Sequence, residues 1–416
     1  MLILTIMLST LKRLNLLKLF LLAILLRVLI MPFYYHPDIK TTHFKVSFLK
    51  DGVIDIYNYL DKNIPNFTIK ENLNYFPLTY FFLGGYQIIV SPLLGADFSS
   101  WLSDASVEVT ERVGTFRYLF ILKFPYLILD LAVPFLLIKF LSSNVQKRKA
   151  FILWLFNPIS ISLIYIFSNI DIIPVTLSLL SVLFFQQKKN ILGGLILGLA
   201  VGFKQYPVLF LPFLLLFIKN FRNLIILLCA IFGVVVVFVA PFWSNAFLKS
   251  ALLSSLTTRL AFPGIGIGFG EALMIGVVSL SVLFFVSLLQ RNEKVTNLWY
   301  YLAAFLLLTF STIHFHIQWL LWIMPFLIVL SIVHENLSKL VWAWAYFAFL
   351  IPLFYDDKSM TISLLSPISL LYNLLPTPFS ILERFYDPYL AQGVIHSLIF
   401  GLSLVLVWRI FRLVRI

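Results

Sequence analysis

Residues 190–243 read NILGGLILGLAVGFKQYPVLFLPFLLLFIKNFRNLIILLCAIFGVVVVFVAPFW, and the charged residues in this stretch are Lys204, Lys219 and Arg222. They divide it into three apolar runs, at 190–203, 206–219 and 222–243. A bilayer needs about 20 apolar residues for each helix that crosses it. The stretch therefore predicts three consecutive membrane-spanning helices joined by short polar connections.

The composition of the whole chain extends this prediction. Of 416 residues, 61% are hydrophobic and 12% are charged, whereas soluble domains have about half apolar and about a quarter charged residues. A soluble fold and a disordered chain are excluded, and the single cysteine rules out an intrachain disulfide. The net charge of +13 is expected to reflect membrane topology and not a nucleic-acid partner, because basic residues cluster between apolar runs.

The charges also predict the orientation of the chain. Basic clusters between the runs are expected on the cytoplasmic side, among them Lys147–Lys149, Lys188–Lys189 and Arg409–Arg415. Nine of the 18 acidic residues lie between Asp38 and Glu111. We therefore expect segment 36–116 on the outer face, with its apolar part at about 75–95 lying on or dipping into that face.

Twelve spans follow from this topology and leave both termini in the cytoplasm. They are predicted at about 14–34, 117–140, 150–168, 171–187, 190–203, 206–219, 222–243, 270–290, 296–313, 315–333, 338–355 and 391–411. The predicted fold class is an all-α, polytopic helical membrane protein with about twelve transmembrane helices and outer-face helices between the first two spans.

Polar residues interrupt the apolar chain at three predicted outer ends. The first is Phe203-Lys204-Gln205-Tyr206-Pro207, where a helix starting at Pro207 would have unpaired amides beside the Lys204 ammonium. Together they predict an anion site; a lysine that only extends toward the interface is the alternative. The second is Ser168-Asn169-Ile170-Asp171, where capping of the next helix by Asp171 is the alternative to a cavity role.

The third break is His314-Phe315-His316-Ile317-Gln318. Histidines two positions apart suit a metal clip on a strand better than a helix face, and neither a carboxylate nor a cysteine lies nearby in sequence. No metal site is predicted here. The alternatives left open are contact with a phosphate or a sugar hydroxyl, and ordinary interfacial histidines.

Asp38 follows the first predicted span in Tyr35-His36-Pro37-Asp38. A carboxylate at the edge of an apolar cavity is expected to have a raised pKa, because burial disfavours its charge, and it would suit a general base acting on a hydroxyl. An inert loop aspartate is the alternative. All three breaks lie on the Asp38 side of the predicted topology, which indicates an outer cavity for an amphipathic substrate, with a phosphate at the interface and a tail in the bilayer.

Other polar residues are more ambiguous. Lys123 and Asp130 place charges within one predicted span, either as a structural pair with neighbouring helices or as functional groups. Arg27, near the outer end of the first span, either extends toward the interface or holds a bound anion. Arg259 and Glu271 bracket a glycine-rich run at 264–268, for which no preceding strand is predicted. A flexible outer loop is therefore favoured there over a nucleotide-binding turn.

The order of these pieces resembles the GT-C superfamily of integral-membrane glycosyltransferases. The pieces are Asp38, Tyr75-Phe76-Pro77, Lys123 to Asp130, Phe156-Asn157-Pro158, Ser168 to Asp171, Phe203 to Pro207 and His314 to Trp319. The first outer segment is similar to those of GPI mannosyltransferase I catalytic subunits and of dolichyl-phosphate-glucose-dependent glucosyltransferases. Lys40 stands where the mannosyltransferases carry a second acid, so the resemblance leaves the sugar open between mannose and glucose.

The resemblance implies an inverting hexosyltransferase that moves a sugar from a polyprenyl-phosphate carrier to a hydroxyl of a glycan or glycolipid acceptor. Asp38 would be the general base, and Lys204 and His316, with His314 and Gln318, would hold the donor phosphate. The remaining polar residues of the cavity would be Asn169, Asp171, Gln205, Tyr206, Tyr75 and Arg259. Neither a metal nor a cofactor is expected, because cations and helix-end amides can hold the departing phosphate.

The resemblance covers about residues 14–335. It implies a catalytic core at 1–335, with the outer segment 36–116, followed by C-terminal spans at 336–416 with an outer segment at 356–390. Short inner loops favour a prokaryotic plasma (inner) membrane, with the active site on its outer face and membrane lipids around it; a small partner subunit is left open. The competing class is a lipid or lipid-linked-sugar flippase or transporter, and a non-catalytic scaffold subunit is the third.

Overall fold

The computed structural model describes Leu11 and residues 15–218, 220–254, 264–289 and 295–414. Its helices and strands are α1 (Leu17–Ile30), α2 (Pro37–Ser47), α3 (Ile56–Asn63), α4 (Pro77–Leu94), α5 (Phe98–Ser103), α6 (Thr115–Leu137), α7 (Asn144–Leu155), α8 (Pro158–Ile161), α9 (Ile172–Gln186), α10 (Asn190–Phe203), α11 (Leu211–Leu215), α12 (Phe221–Val239), α13 (Asn245–Phe247), β1 (Gly264–Gly268), β2 (Glu271–Met274), α14 (Ile275–Leu289), α15 (Leu298–Thr312), α16 (Leu320–Val333), α17 (Ser338–Leu350), α18 (Pro378–Leu382) and α19 (Pro388–Val414). A π-helical turn, Ser162–Ile166, and two 3-10 turns, Tyr206–Phe210 and Ile317–Trp319, lie at the predicted polar breaks.

The predicted fold class is confirmed. The chain is 76% helical, and a helix lies in each of the twelve predicted spans. Six helical stretches of the described residues are long and apolar enough to cross a membrane. One of the six is α4, so length and composition would allow it to cross; its placement on the outer face stays a prediction.

The glycine-rich run at 264–268 is a strand and not the predicted flexible loop. Gly264–Gly268 pairs antiparallel with Glu271–Met274, and both strands are exposed. Alternation of glycine and isoleucine gives the run the two-residue period of a strand. The turn between the strands needs a left-handed backbone, which Gly270 adopts at φ 83°.

Helices α15 and α16 form the centre of the bundle. All of α16 from Leu320 to Ile332 is buried. Helices α14 and α19 pack on α15, and helices α7 and α17 pack on α16. At the periphery, Leu21 of α1, Val237 of α12 and Phe285 of α14 are each more than half exposed, as expected for helix faces in contact with lipid.

The charges inside the predicted spans are engaged in fixed contacts between helices. The Lys123 ammonium of α6 donates to the main-chain oxygens of Met31, Tyr34 and Tyr165, at 2.6–2.9 Å. Asp130, also on α6, pairs with the buried Arg27 of α1. These contacts fit the structural alternative, since each buried charge has hydrogen-bond partners from another segment.

The two long connections of the chain contact each other above the bundle. The Tyr35 amide donates to the Leu364 carbonyl, and the Leu370 amide donates to Glu111. Tyr355 donates from its hydroxyl to the Phe315 carbonyl. The C-terminal segment thereby covers the chain around the third polar break.

Candidate active site

A cavity of about 260 Å³ lies where the three polar breaks meet the start of α2. This volume is near the lower end of the ~300–1,000 Å³ typical of ligand pockets, which suits the head of a substrate whose remainder lies outside. The described residues that line it are Asp38, Thr41, Thr42, Lys45, Glu71, Asn74, Tyr75, Lys204, Gln205, Tyr206, Leu209, Ser254, Thr309, Ile313, His316, Gln318, Trp319 and Trp322.

Asp38 lies in the first turn of α2, directly after Pro37. The ring of His36 caps this helix, because its Nδ1 accepts from the Asp38 amide at 3.3 Å. The Asp38 side chain is 44% exposed, whereas the His36 side chain is 4% exposed. The carboxylate therefore opens toward the cavity while its neighbour is enclosed.

Gln318 connects Asp38 to two polar breaks. Its side-chain amide donates to Asp38 Oδ2 at 2.8 Å and to the Phe167 carbonyl at 3.1 Å. The main-chain carbonyl of Gln318 accepts from the side-chain amide of Asn169 at 2.7 Å. The Asn169 Oδ1 in turn accepts from the main-chain amide of Asp171 at 2.8 Å. Asn169 is buried and does not line the cavity, so it positions the residues that do.

Lys204 is held by a buried carboxylate. Its ammonium donates to both oxygens of Asp171 at 2.7 and 2.8 Å, and the Asp171 side chain is fully buried. Asp171 does not cap α9 with its side chain, so the capping alternative is wrong. The helix predicted to begin at Pro207 begins at Tyr206 as a 3-10 turn and continues through the five-residue α11. The support of its amides for an anion stays a prediction.

Aromatic rings surround the Lys204 ammonium. It lies 5.2 Å from the ring centres of both Tyr75 and Trp322, within range of cation–π attraction. Trp322 stacks on Tyr206 with ring centres 3.9 Å apart and donates from its indole to Asp171 at 2.7 Å. Tyr75 and Tyr206 thus form part of the cavity wall as predicted, and they contact the lysine cluster.

A second ion pair in the wall was missed by the sequence analysis. Lys45 donates to Glu71 at 3.2 Å, and both residues line the cavity. Lys45 lies seven residues after Asp38, two turns along the same face of α2, so helical spacing could have identified it. Glu71 lies in an irregular segment, where spacing gives no such signal.

The structure brings together most of the predicted site residues. Asp38, Lys204, His316 and Gln318 line one cavity, and so does Gln205.

Two predicted site residues have other positions. His314 lines a separate cavity with His396 of α19. The structure therefore does not place His314 with the predicted phosphate-binding group. Arg259 lies outside the described residues.

The pKa of Asp38 is lowered, and the expected rise is wrong. Burial by itself raises the pKa of this carboxyl, but the imidazoles of His36 and His316, the Gln318 hydrogen bond and Lys45 together hold it below its ordinary value. Asp38 is therefore ionised at neutral pH and able to accept a proton.

The comparisons with known proteins identify the chain as a GT-C-type membrane glycosyltransferase. Residues 120–333, just over half of the chain, match Glycosyltransferase family 87, and the chain belongs to this family. A stretch of 102 residues is 29% identical to GPI mannosyltransferase 1 of Saccharomyces cerevisiae (strain ATCC 204508 / S288c) and covers 24% of this chain and 25% of that protein. The match spans about a quarter of that curated relative. The resemblance to GT-C glycosyltransferases is confirmed.

Proposed function

We propose that this glycosyltransferase moves a hexose of the mannose or glucose type from a polyprenyl-phosphate carrier to a hydroxyl of a glycan or glycolipid acceptor, with inversion. The reaction would take place on the outer face of a plasma membrane, in the cavity that Asp38, Lys204, His316 and Gln318 line. The donor, the sugar, the stereochemistry and the membrane are the parts of this proposal that family membership does not supply.

The supporting observation is the convergence of four distant segments on one small cavity inside an apolar bundle. A carboxylate from α2, the end of α10 and the turn before α16 all reach it, and Asp171 before α9 holds Lys204 in place. Lipid-phosphate donors combine a charged head with a long apolar tail. A cavity with charged and aromatic walls, surrounded by helices with exposed apolar faces, is complementary to both parts.

The proposed chemistry divides between a base and a phosphate-binding group. Asp38 accepts the proton of the acceptor hydroxyl as its oxygen forms a bond to the anomeric carbon. The bond from that carbon to the phosphate oxygen breaks on the opposite face, and the electron pair leaves with the phosphate. Lys204 and His316 stabilise the developing phosphate charge. Attack opposite the leaving group inverts the anomeric carbon.

The experiment compares the wild-type protein with Asp38→Asn, both purified in detergent and incubated with radiolabelled polyprenyl-phosphate mannose or glucose and a mixture of glycolipid acceptors. We expect transfer by the wild type and a loss of at least ~100-fold in the variant, the lower end of the range for general-base catalysis. Donor binding is measured separately, and transfer lost while donor binding persists assigns the loss to the proton transfer.

The matched control is Asp356→Asn, which changes an exposed aspartate of the C-terminal segment outside the cavity. It should transfer sugar at the wild-type rate. If the folded wild-type protein neither binds nor consumes either donor, the donor assignment is wrong. If Asp38→Asn transfers as fast as the wild type, Asp38 is not the base. The anomeric configuration of the product, read by NMR, tests inversion.

A further inference from the structure

The charges of the donor cavity do not by themselves favour an anion. Among the described residues that line it, the charged groups are Asp38, Lys45, Glu71 and Lys204. Lys45 is paired with Glu71 at 3.2 Å, and Lys204 is paired with the buried Asp171 at 2.7 Å. These two pairs leave the Asp38 carboxylate, whose nearest charged-pair partner is the imidazole of His36 at 3.6 Å. A cation bound beside this carboxylate would make the potential that a phosphate meets more positive.

Three potential metal ligands lie together at this charge. His36, Asp38 and His316 each offer one ligand atom, and these atoms lie within 4.8 Å of one another. His36 and Asp38 come from the start of α2, and His316 comes from the turn before α16. The two imidazole rings meet edge to face, with their centroids 6.2 Å apart. His316 lies almost three hundred positions after His36 and Asp38 in the sequence, so only the fold brings the three residues together.

The Nδ1 of His36 lies beside both the amide and the carboxylate of Asp38. It accepts from the Asp38 amide at 3.3 Å, and an ion bound through the same lone pair would replace this long hydrogen bond. The Nδ1 lies 3.6 Å from Asp38 Oδ2, which is also an acceptor. Two ligands bound tetrahedrally to one ion at bonds of ~2.0–2.1 Å lie ~3.4 Å apart. The observed separation is therefore close to that of two ligands on a shared cation.

His36 is also poorly satisfied by the fold itself. The residue is 3% exposed, and its Nε2 has no hydrogen-bond partner among the described residues. A buried imidazole is normally hydrogen-bonded through its polar atoms. One of the two ring nitrogens is thus enclosed beside the cavity without a hydrogen-bond partner among the described residues.

We propose that His36, Asp38 and His316 bind a divalent transition-metal ion of the Zn²⁺ type at the edge of the donor cavity. Two imidazoles and one carboxylate suit Zn²⁺ and related ions better than Mg²⁺, which prefers oxygen ligands. Three protein ligands leave a fourth position open for a phosphate oxygen. The contact between the ion and a donor phosphate rests on the proposed function, whereas the metal site itself does not. Asp38 offers one oxygen to the ion and retains the other for a proton.

The test uses the full chain in detergent, first stripped with a chelator and then equilibrated with Zn²⁺. Metal content measured by mass spectrometry should reach one Zn²⁺ per chain, and a large excess of Mg²⁺ should not displace it. His36→Gln and His316→Asn should each weaken Zn²⁺ binding by at least ~100-fold, because loss of even an outer partner of a metal ligand costs ~10–100-fold. Zn²⁺ should raise the unfolding midpoint of the wild type but not of these variants.

The matched control is His314→Ala, which removes a histidine two positions from His316 that lines a different cavity. It should bind Zn²⁺ as the wild type does. The proposal is overturned if the wild type retains no stoichiometric Zn²⁺, or if His36→Gln and His316→Asn bind it unchanged. Stoichiometric Zn²⁺ without any sugar transfer would leave the metal site standing and refute the proposed function. Full transfer by the stripped protein in chelator would refute the metal's role in the reaction.

Discussion

Replacing Lys204 by methionine is expected to destabilise the protein by leaving a buried carboxylate without its cation. Asp171 is fully buried and would keep the hydrogen bond from the indole of Trp322. Removing one partner of a buried pair typically costs ~3–5 kcal/mol. Because the Lys204 side chain is 13% exposed, water already reaches the ammonium. We therefore expect a cost near the lower limit, about 3 kcal/mol.

Adding the substitution Asp171→Asn to Lys204→Met tests this reasoning. In the double variant Lys204→Met/Asp171→Asn the buried charge is gone, while an amide oxygen can still accept from Trp322. The double variant should therefore be more stable than Lys204→Met alone, by roughly 2 kcal/mol, since the unpaired charge causes most of the cost. Unfolding of all four members of the cycle in denaturing detergent, followed by helical circular dichroism, measures the coupling.

The outcome separates two roles of Lys204. Additivity within ~0.5 kcal/mol would refute the reasoning, because it would mean that the pair is energetically independent. Sugar transfer by the folded double variant is the second readout. If transfer is lost, Lys204 acts on the donor as proposed; if transfer is unchanged, Lys204 serves only to neutralise Asp171, and its assignment to the phosphate fails.

Three further predictions concern stability. Arg27→Met should cost ~3–5 kcal/mol in detergent unfolding, because Asp130 stays buried without its cation; an unchanged midpoint would contradict the structural assignment of this pair. Gly198→Ala should destabilise the protein by ~1–3 kcal/mol, since a Cβ there would lie 2.6 Å from a main-chain oxygen of α12. In the control Gly233→Ala the added Cβ meets nothing within 4 Å, so this change should be neutral or stabilising by up to ~1 kcal/mol. Equal effects of the two substitutions would argue against the close approach of α10 and α12. Burial lowers the pKa of His43 from 6.5 to about 3 in the folded protein. As the pH falls below 6.5, His43 therefore takes up a proton in the unfolded chain but not in the folded one, and the free energy of unfolding should decline until the pH reaches about 3. His43→Leu should flatten that part of the stability profile, and an identical profile for the variant would count against a neutral buried His43.

The helices were predictable because the bilayer limits how they can end. Helix α10 begins at Asn190 and ends at Phe203, as predicted, since Lys189 and Lys204 flank a run without polar residues. The hairpin at 264–274 was not predictable from the same criterion. Apart from Glu271 its residues are apolar or glycine, and only the pairing of two short strands distinguishes it from a loop.

The sequence predicted that the three polar breaks converge on one cavity, but it did not predict which side chains of the site contact each other. Topology alone placed Asp38, Lys204 and Gln318 on one side of the membrane, and the structure brings them to one cavity. The pairing of Lys204 with Asp171 could also have been inferred, because α9 and α10 are antiparallel neighbours and the start of one meets the end of the other. The approach of His36 to His316 could not, since it depends on how α2 docks on the bundle.

The breaks that carry the site also satisfy one another's main chain, which links the stability of the fold to the geometry of the site. Where a helix ends inside an apolar bundle, its free carbonyls need donors that lipid cannot supply. Gln318 donates to the Phe167 carbonyl, Asn169 donates to the Gln318 carbonyl, and the Phe76 amide donates to the Phe203 carbonyl. The first two bonds join the second and third breaks, and the third bond joins the first break to the residue before α4. A cavity assembled in this way cannot lose one of these residues without loosening another wall, so any activity lost on substitution here has to be compared with the stability of the same variant before it is assigned to chemistry.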